Sequence, residues 1–111
     1  MKINATKGIW LTEQAICSAR NLVEVSGLSN EELGDLIDNG VIVPVDTNAQ
    51  PMSFPLRYMV VASMARRLRD DFDLDRHGMT LAMTLLLRIE QMELELNAVR
   101  ARLGHRMSHP G

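Results

Sequence analysis

The sequence predicts a mainly α fold: a winged helix-turn-helix body with short β-strands and a small wing, followed by a long C-terminal helix. Three observations predict it. Residues 26–44, SGLSNEELGDLIDNGVIVP, hold a small-residue turn, a short helical pattern, a glycine stop and a proline exit. Residues 46–53, DTNAQPMS, are rich in turn formers and suit the tip of a hairpin or wing. From Ala82 onward, apolar residues recur at alternating spacings of three and four, the pattern of a long amphipathic helix.

Each element has a local reason. Ile9, Trp10 and Leu11 open a short strand near residues 9–13. Ser18 can cap the next helix, because its hydroxyl accepts from a free backbone N–H. Ala19, Leu22, Val23 and Val25 form that helix's apolar stripe, and Gly27 supplies a left-handed stop. Ser29 and Glu32 make the S-x-x-E capping box of the second helix. Leu33, Leu36 and Ile37 face inward at helical spacing, and Gly40 ends the helix. VIVPV, residues 41–45, reads as a short β-branched strand that Pro44 confines to an edge. Ser53 and Pro55 start a third helix that runs to about Phe72, with Val61, Met64, Ala65, Leu68 and Phe72 along its inner face. Asp75 can cap the last helix, residues 76–103. The chain thus divides into a body with its wing and third helix over 1–75, the long amphipathic helix over 76–104, and a tail over 105–111.

The last helix carries a heptad. Ala82, Leu85, Ile89, Met92, Leu96, Val99 and Leu103 form an a/d seam. Residues 82–89 are expected to pack inside their own domain. Little chain remains to cover Met92, Leu96, Val99 and Leu103, which therefore predict self-association into a homodimer. Arg88 and Glu93, or Glu95 and Arg100, pair across parallel helices. Glu93 with Arg100, and Glu95 with Arg102, pair across antiparallel ones. The charges favour pairing without fixing its direction.

Composition narrows the function. The chain has 111 residues, 46% hydrophobic, with only 4% aromatic and eight methionines. Methionine packs adaptably in cores and at protein-binding surfaces. The net charge is −2, against the basic excess usual in a free-standing DNA-binding domain. Cys17 is the single cysteine, so no intramolecular disulfide can form, which fits a reducing compartment. No targeting pattern and no membrane-length apolar run stand out, and the chain reads as a bacterial-type cytoplasmic protein.

Chemistry has few footholds. Asp71, Asp73 and Asp75 occupy the first ligand positions of a calcium loop, but Arg76 stands where the pattern needs Gly and Ala82 where it needs Glu. His105 and His109 lack a third metal ligand, and His77 reads as a surface residue. Cys17 reads as a small buried hydrophobe. No nucleophile elbow, phosphate loop or zinc-protease motif is present, so neither an enzyme nor a cofactor is expected.

The second helix poses the main question. It stands where a helix-turn-helix reads DNA, yet it carries Glu31, Glu32, Asp35 and Asp38 and no Lys or Arg. Phosphates would repel it. Arg57, Arg66, Arg67 and Arg69 are the only alternative nucleic-acid face, and Asp70, Asp71 and Asp73 can neutralise them.

The stretches SGLSNEEL…GVIVP and RLRDDFDLDRHGMTLAMTLL give the chain a family likeness. Over residues 9–103 it resembles the CbpM-type chaperone modulators, small proteins with a MerR-like helix-turn-helix. Two features depart from that pattern: Arg76-His77 stand where many relatives have Trp-Pro, and the aromatic wing reads Met52-Ser53-Phe54. The resemblance implies a non-catalytic partner of a DnaJ-like co-chaperone of the CbpA type. Such modulators bind the J-domain and inhibit its co-chaperone and DNA-binding activities. A J-domain presents a basic helix to its Hsp70, so Glu31, Glu32, Asp35 and Asp38 become candidate partner-binding residues. The alternative is a dimeric MerR-type transcriptional regulator.

Overall fold

The computed structural model describes residues 15–107, with side-chain surroundings as far as Gly104. Its elements run β1 (Ile16–Ser18), α1 (Ala19–Ser26), α2 (Asn30–Asp38), β2 (Ser53–Pro55), α3 (Tyr58–Asp71) and α4 (Arg76–Met107). The strand expected near residues 9–13 and the pair His105 and His109 lie outside the described residues or side chains.

The helix-turn-helix forms as its caps dictate. Ser18 Oγ accepts from the Asn21 amide at 3.0 Å, while Asn21 Oδ1 accepts from the Ser18 amide at 3.2 Å. Gly27 closes α1 with φ at 86°, a left-handed conformation that favours glycine. Ser29 Oγ accepts from the Glu32 amide at 3.0 Å, and Glu32 Oε1 accepts from the Ser29 amide at 2.9 Å. Both N-termini are therefore held by reciprocal boxes.

Three sequence expectations are corrected between α2 and α3. Residues 41–45 form no strand, with bends at Val41, Ile42 and Val45. The amides of Val41 and Ile42 both donate to Leu36 O, at 2.9 and 3.2 Å, so the chain folds back over the end of α2. Val41 and Ile42 are buried there, and that burial accounts for their apolar character, while Val43 and Val45 stay exposed. Ser53 and Pro55 do not start a helix. They flank Phe54 in β2, which pairs antiparallel with β1 in the register Ile16↔Pro55, Cys17↔Phe54, Ser18↔Ser53. Alternation then sends Cys17 and Phe54 inward together. Helix α3 begins later, at Tyr58, and its buried residues are Ala62 and Ala65; Met64 and Phe72 are exposed. Small side chains on the inner face let neighbouring helices approach α3 closely.

One core unites the body: Leu22, Leu28, Leu33, Leu36, Val41, Ile42 and Phe54, with Ala62 and Ala65, and with Met79 and Met83 from α4. Asp75 caps α4 through Oδ1, which accepts from the Gly78 amide at 2.7 Å. Met79 and Met83 bind α4 to the body, and they lie on the side of the helix away from Leu85 and Ile89. The expectation that residues 82–89 of the seam pack within their own domain is therefore corrected: Leu85 and Ile89 are 52% and 51% exposed. A helix only about 10–12 Å across cannot bury both faces against one body. Every residue from Arg88 to Gly104 is exposed, and the helix continues to Met107, beyond the tail boundary read from the sequence.

Candidate partner-binding surface

Helix α2 carries its acids at four positions with two different fates. Glu32 is 9% exposed. Its Oε1 takes the Ser29 amide and also Arg69 Nη1, at 2.6 Å, from α3. Asp35 is half-buried, and Arg76 Nε at the start of α4 lies 2.6 Å from its Oδ2. That N–H does not point along the contact, so Oδ2 is compensated by charge without a directed hydrogen bond. Glu31 and Asp38 are exposed and, among the described ion pairs, have no partner. The uncompensated acidity of the helix is thus concentrated at Glu31 and Asp38, seven residues apart and so on one face.

The arginines divide in the same way. Arg66 Nε donates to Ser26 O at 3.1 Å, and Arg66 Nη1 donates to Asp70 Oδ2 at 3.1 Å. Arg69 Nε donates to Asp70 Oδ1 at 3.0 Å. The hydrogen bond from Arg69, reinforced by that from Arg66, holds the Asp70 carboxyl below the usual range. The same bond to Asp70, with the charge of Glu32, raises the Arg69 guanidinium. Arg66 and Arg69 therefore serve the body, one clamping the end of α1 and the other bracing α2. Arg57 and Arg67 stay exposed, and the Arg57 guanidinium lies 5.0 Å from the centroid of the Tyr58 ring.

Sequence reasoning missed the pairings Glu32–Arg69 and Asp35–Arg76. The residues are 37 and 41 positions apart, so no local spacing signals them; only the capping role of Glu32 was visible. Burial alone raises the Cys17 thiol, as expected of a thiol kept protonated in a core. Among the described residues no group of three or more His, Cys, Asp or Glu side chains could hold a metal ion. No helix among them is long and apolar enough to cross a membrane.

Residues 17–101 match the family model of MerR helix-turn-helix regulatory proteins. The chain is also 32% identical over 85 residues to the chaperone modulatory protein CbpM of Escherichia coli O1:K1, an alignment that covers 77% of this chain and 84% of the relative. The corresponding proteins of strains S88 and E24377A match to the same extent. This chain belongs to the CbpM-type branch of the MerR helix-turn-helix family. The relatives are named as modulators and regulators, which are non-enzymatic kinds of protein.

Proposed function

We propose that this chain is a non-catalytic modulator that binds the J-domain of a DnaJ/CbpA-like co-chaperone in the cytoplasm and inhibits it. One observation carries the reading: the helix that a DNA reader would place in the groove exposes Glu31 and Asp38, which have no counterion among the described ion pairs. Such a face repels phosphate and attracts a basic protein surface. The names of the relatives support a chaperone-related partner. Glu32 and Asp35 stand behind the contact and hold α2 in place, so the partner charge falls mainly to Glu31 and Asp38.

Self-association belongs to the same proposal. Met92, Leu96, Val99 and Leu103 are each exposed along one side of α4, continuous with Leu85 and Ile89. A helix this long gains little from isolation in water and much from a partner helix on its apolar seam. A homodimer would carry two acidic faces.

Calorimetric titration of the full chain against the isolated J-domain, at two salt concentrations, tests the reading. Saturable binding that weakens with salt is expected. Reversal of Glu31 and Asp38 to Lys should weaken it by about tenfold or more. Absence of binding at high micromolar concentration, together with salt-sensitive retention on heparin, would favour the DNA-binding regulator, with Arg57 and Arg67 as its free cations.

A further inference from the structure

Glycine inside a helix gives up backbone entropy and needs a reason. Three glycines of the body have one. Gly27 and Gly40 hold φ at 86° and 75°, where other residues are strained. A Cβ on Gly78 would lie 3.2 Å from Asp75 Oδ1, the cap of α4. Gly34 has none of these reasons, a lack it shares among the described glycines with Gly104 in the exposed end of α4. Gly34 sits in the middle of α2 with helical backbone, and a Cβ built there meets nothing within 4 Å. The fold of this chain does not ask for glycine at that position.

Its place on the helix supplies a reason outside the chain. Glu31 and Asp38 stand at i and i+7 on one face, without a partner among the described ion pairs, and Gly34 and Asp35 lie on opposite flanks of the line between them. Asp35, on the flank of that line, is held by Arg76. We infer that Gly34 is a notch in which a basic helix of a protein partner crosses α2 at close range, with Glu31 and Asp38 meeting its cations on either side of the crossing. The inference rests on the reading of α2 as the partner-facing helix and specifies how the partner fits. Absence of a side chain lets two helix backbones approach more closely than the 8–10 Å of ordinary packing. Close approach also shortens the distance over which the acids act. The commitment is to a cationic helix, because uncompensated carboxylates on both sides of the notch would repel an acidic one and would repel nucleic acid.

The test compares three full-length chains, wild type, Gly34→Ala and Gly34→Leu, in melting temperature, free mass and affinity for the isolated J-domain. Alanine in an open helix position should raise the melting temperature by about 3–5 °C. The notch requires that it nonetheless bind severalfold more weakly, and that leucine bind at least about tenfold more weakly. Stability and affinity moving in opposite directions separates a notch from a merely structural glycine. Equal affinity in all three chains overturns the notch, while the reading of α2 survives if the Glu31 and Asp38 reversals still weaken binding. A change in the mass of the free chain without loss of J-domain affinity assigns the notch to a second copy and likewise overturns it. A wild-type chain that does not bind the J-domain overturns the reading and the notch together.

Discussion

Arg69 on α3 reaches across to Glu32 on α2, with Nη1 2.6 Å from Oε1, and the carboxylate that receives it already holds the Ser29 amide. One side chain thus ends a helix and ties it to another. The pair is mostly shielded, with side-chain exposures of 25% and 12%, so it is worth more than a surface contact. Glu32→Gln keeps a capping acceptor and loses the charge; Arg69→Ala leaves the carboxylate buried without its cation. Urea unfolding should show a loss of about 1 kcal/mol for the first and about 2 kcal/mol for the second. A double-mutant cycle should return a coupling that a purely local cap would not give.

Asp70 is expected to contribute to the acid limb of the stability curve. Hydrogen bonds from Arg69 and then Arg66 lower its carboxyl below the ordinary 3.8 in the folded chain. A depressed carboxylate stabilises the fold above its unfolded pKa and loses that contribution as pH falls through the lower folded value. Melting temperature should therefore drop as pH falls below about 3.8, continuing into the lower range where the folded carboxyl takes its proton. Asp70→Asn should flatten that drop and leave the neutral-to-alkaline part of the profile nearly level. The comparison needs only thermal melts of both chains from pH 2.5 to 6.

The body was legible where its signals are local. Ser18, Gly27, Ser29, Glu32 and Asp75 act within a turn of the backbone they cap, so sequence spacing finds them. It failed where tertiary burial gives a residue type its meaning. Val41 and Ile42 look like strand residues because they are β-branched, but they are buried in bends over the end of α2. Ser53 and Pro55 look like a helix start, whereas Phe54 between them is drawn opposite Cys17. The acidic face was legible as a composition and misread as a unit. Which of its four carboxylates stay free depends on Arg69 and Arg76, far away in the chain. On α4 the spacing of three and four was visible, but not that Met79 and Met83 would dock the helix and leave Leu85 and Ile89 exposed.

Asp73 holds φ at 52°, the left-handed region, in the link between α3 and α4. Its neighbours fix the bend: the Leu74 amide donates to Arg69 O at 2.9 Å and the Phe72 amide to Leu68 O at 3.1 Å. Asp tolerates that region better than most residues, and glycine better still. Asp73→Gly should raise stability by about 0.5 kcal/mol. Asp73→Val, β-branched and poorly suited to positive φ, should lower it by about 1–2 kcal/mol. Guanidinium unfolding of both variants tests this, and a valine chain as stable as wild type would mean that the link does not hold this backbone in solution.

Leu85, Ile89, Leu96 and Leu103 lie on one side of α4, each about half exposed, and turned away from the Met79 and Met83 contacts that bind the helix to its body. That geometry separates docking to the body from the self-association proposed for the seam. Substitution on the seam should alter association without unfolding the body. Ile89→Arg with Leu96→Arg places two cations in the apolar line and should convert a dimer into a monomer by analytical ultracentrifugation at micromolar concentration. The body's cooperative unfolding should remain, since neither residue touches its core, while part of the helical signal beyond residue 88 should fall because a long helix without a partner frays. Met83→Arg provides the opposite control. It places a charge in the buried core to which Met83 belongs and should unfold the body itself. If the seam variant keeps the mass of the wild type, α4 does not pair through this face, and the exposed apolar line must be covered by another partner.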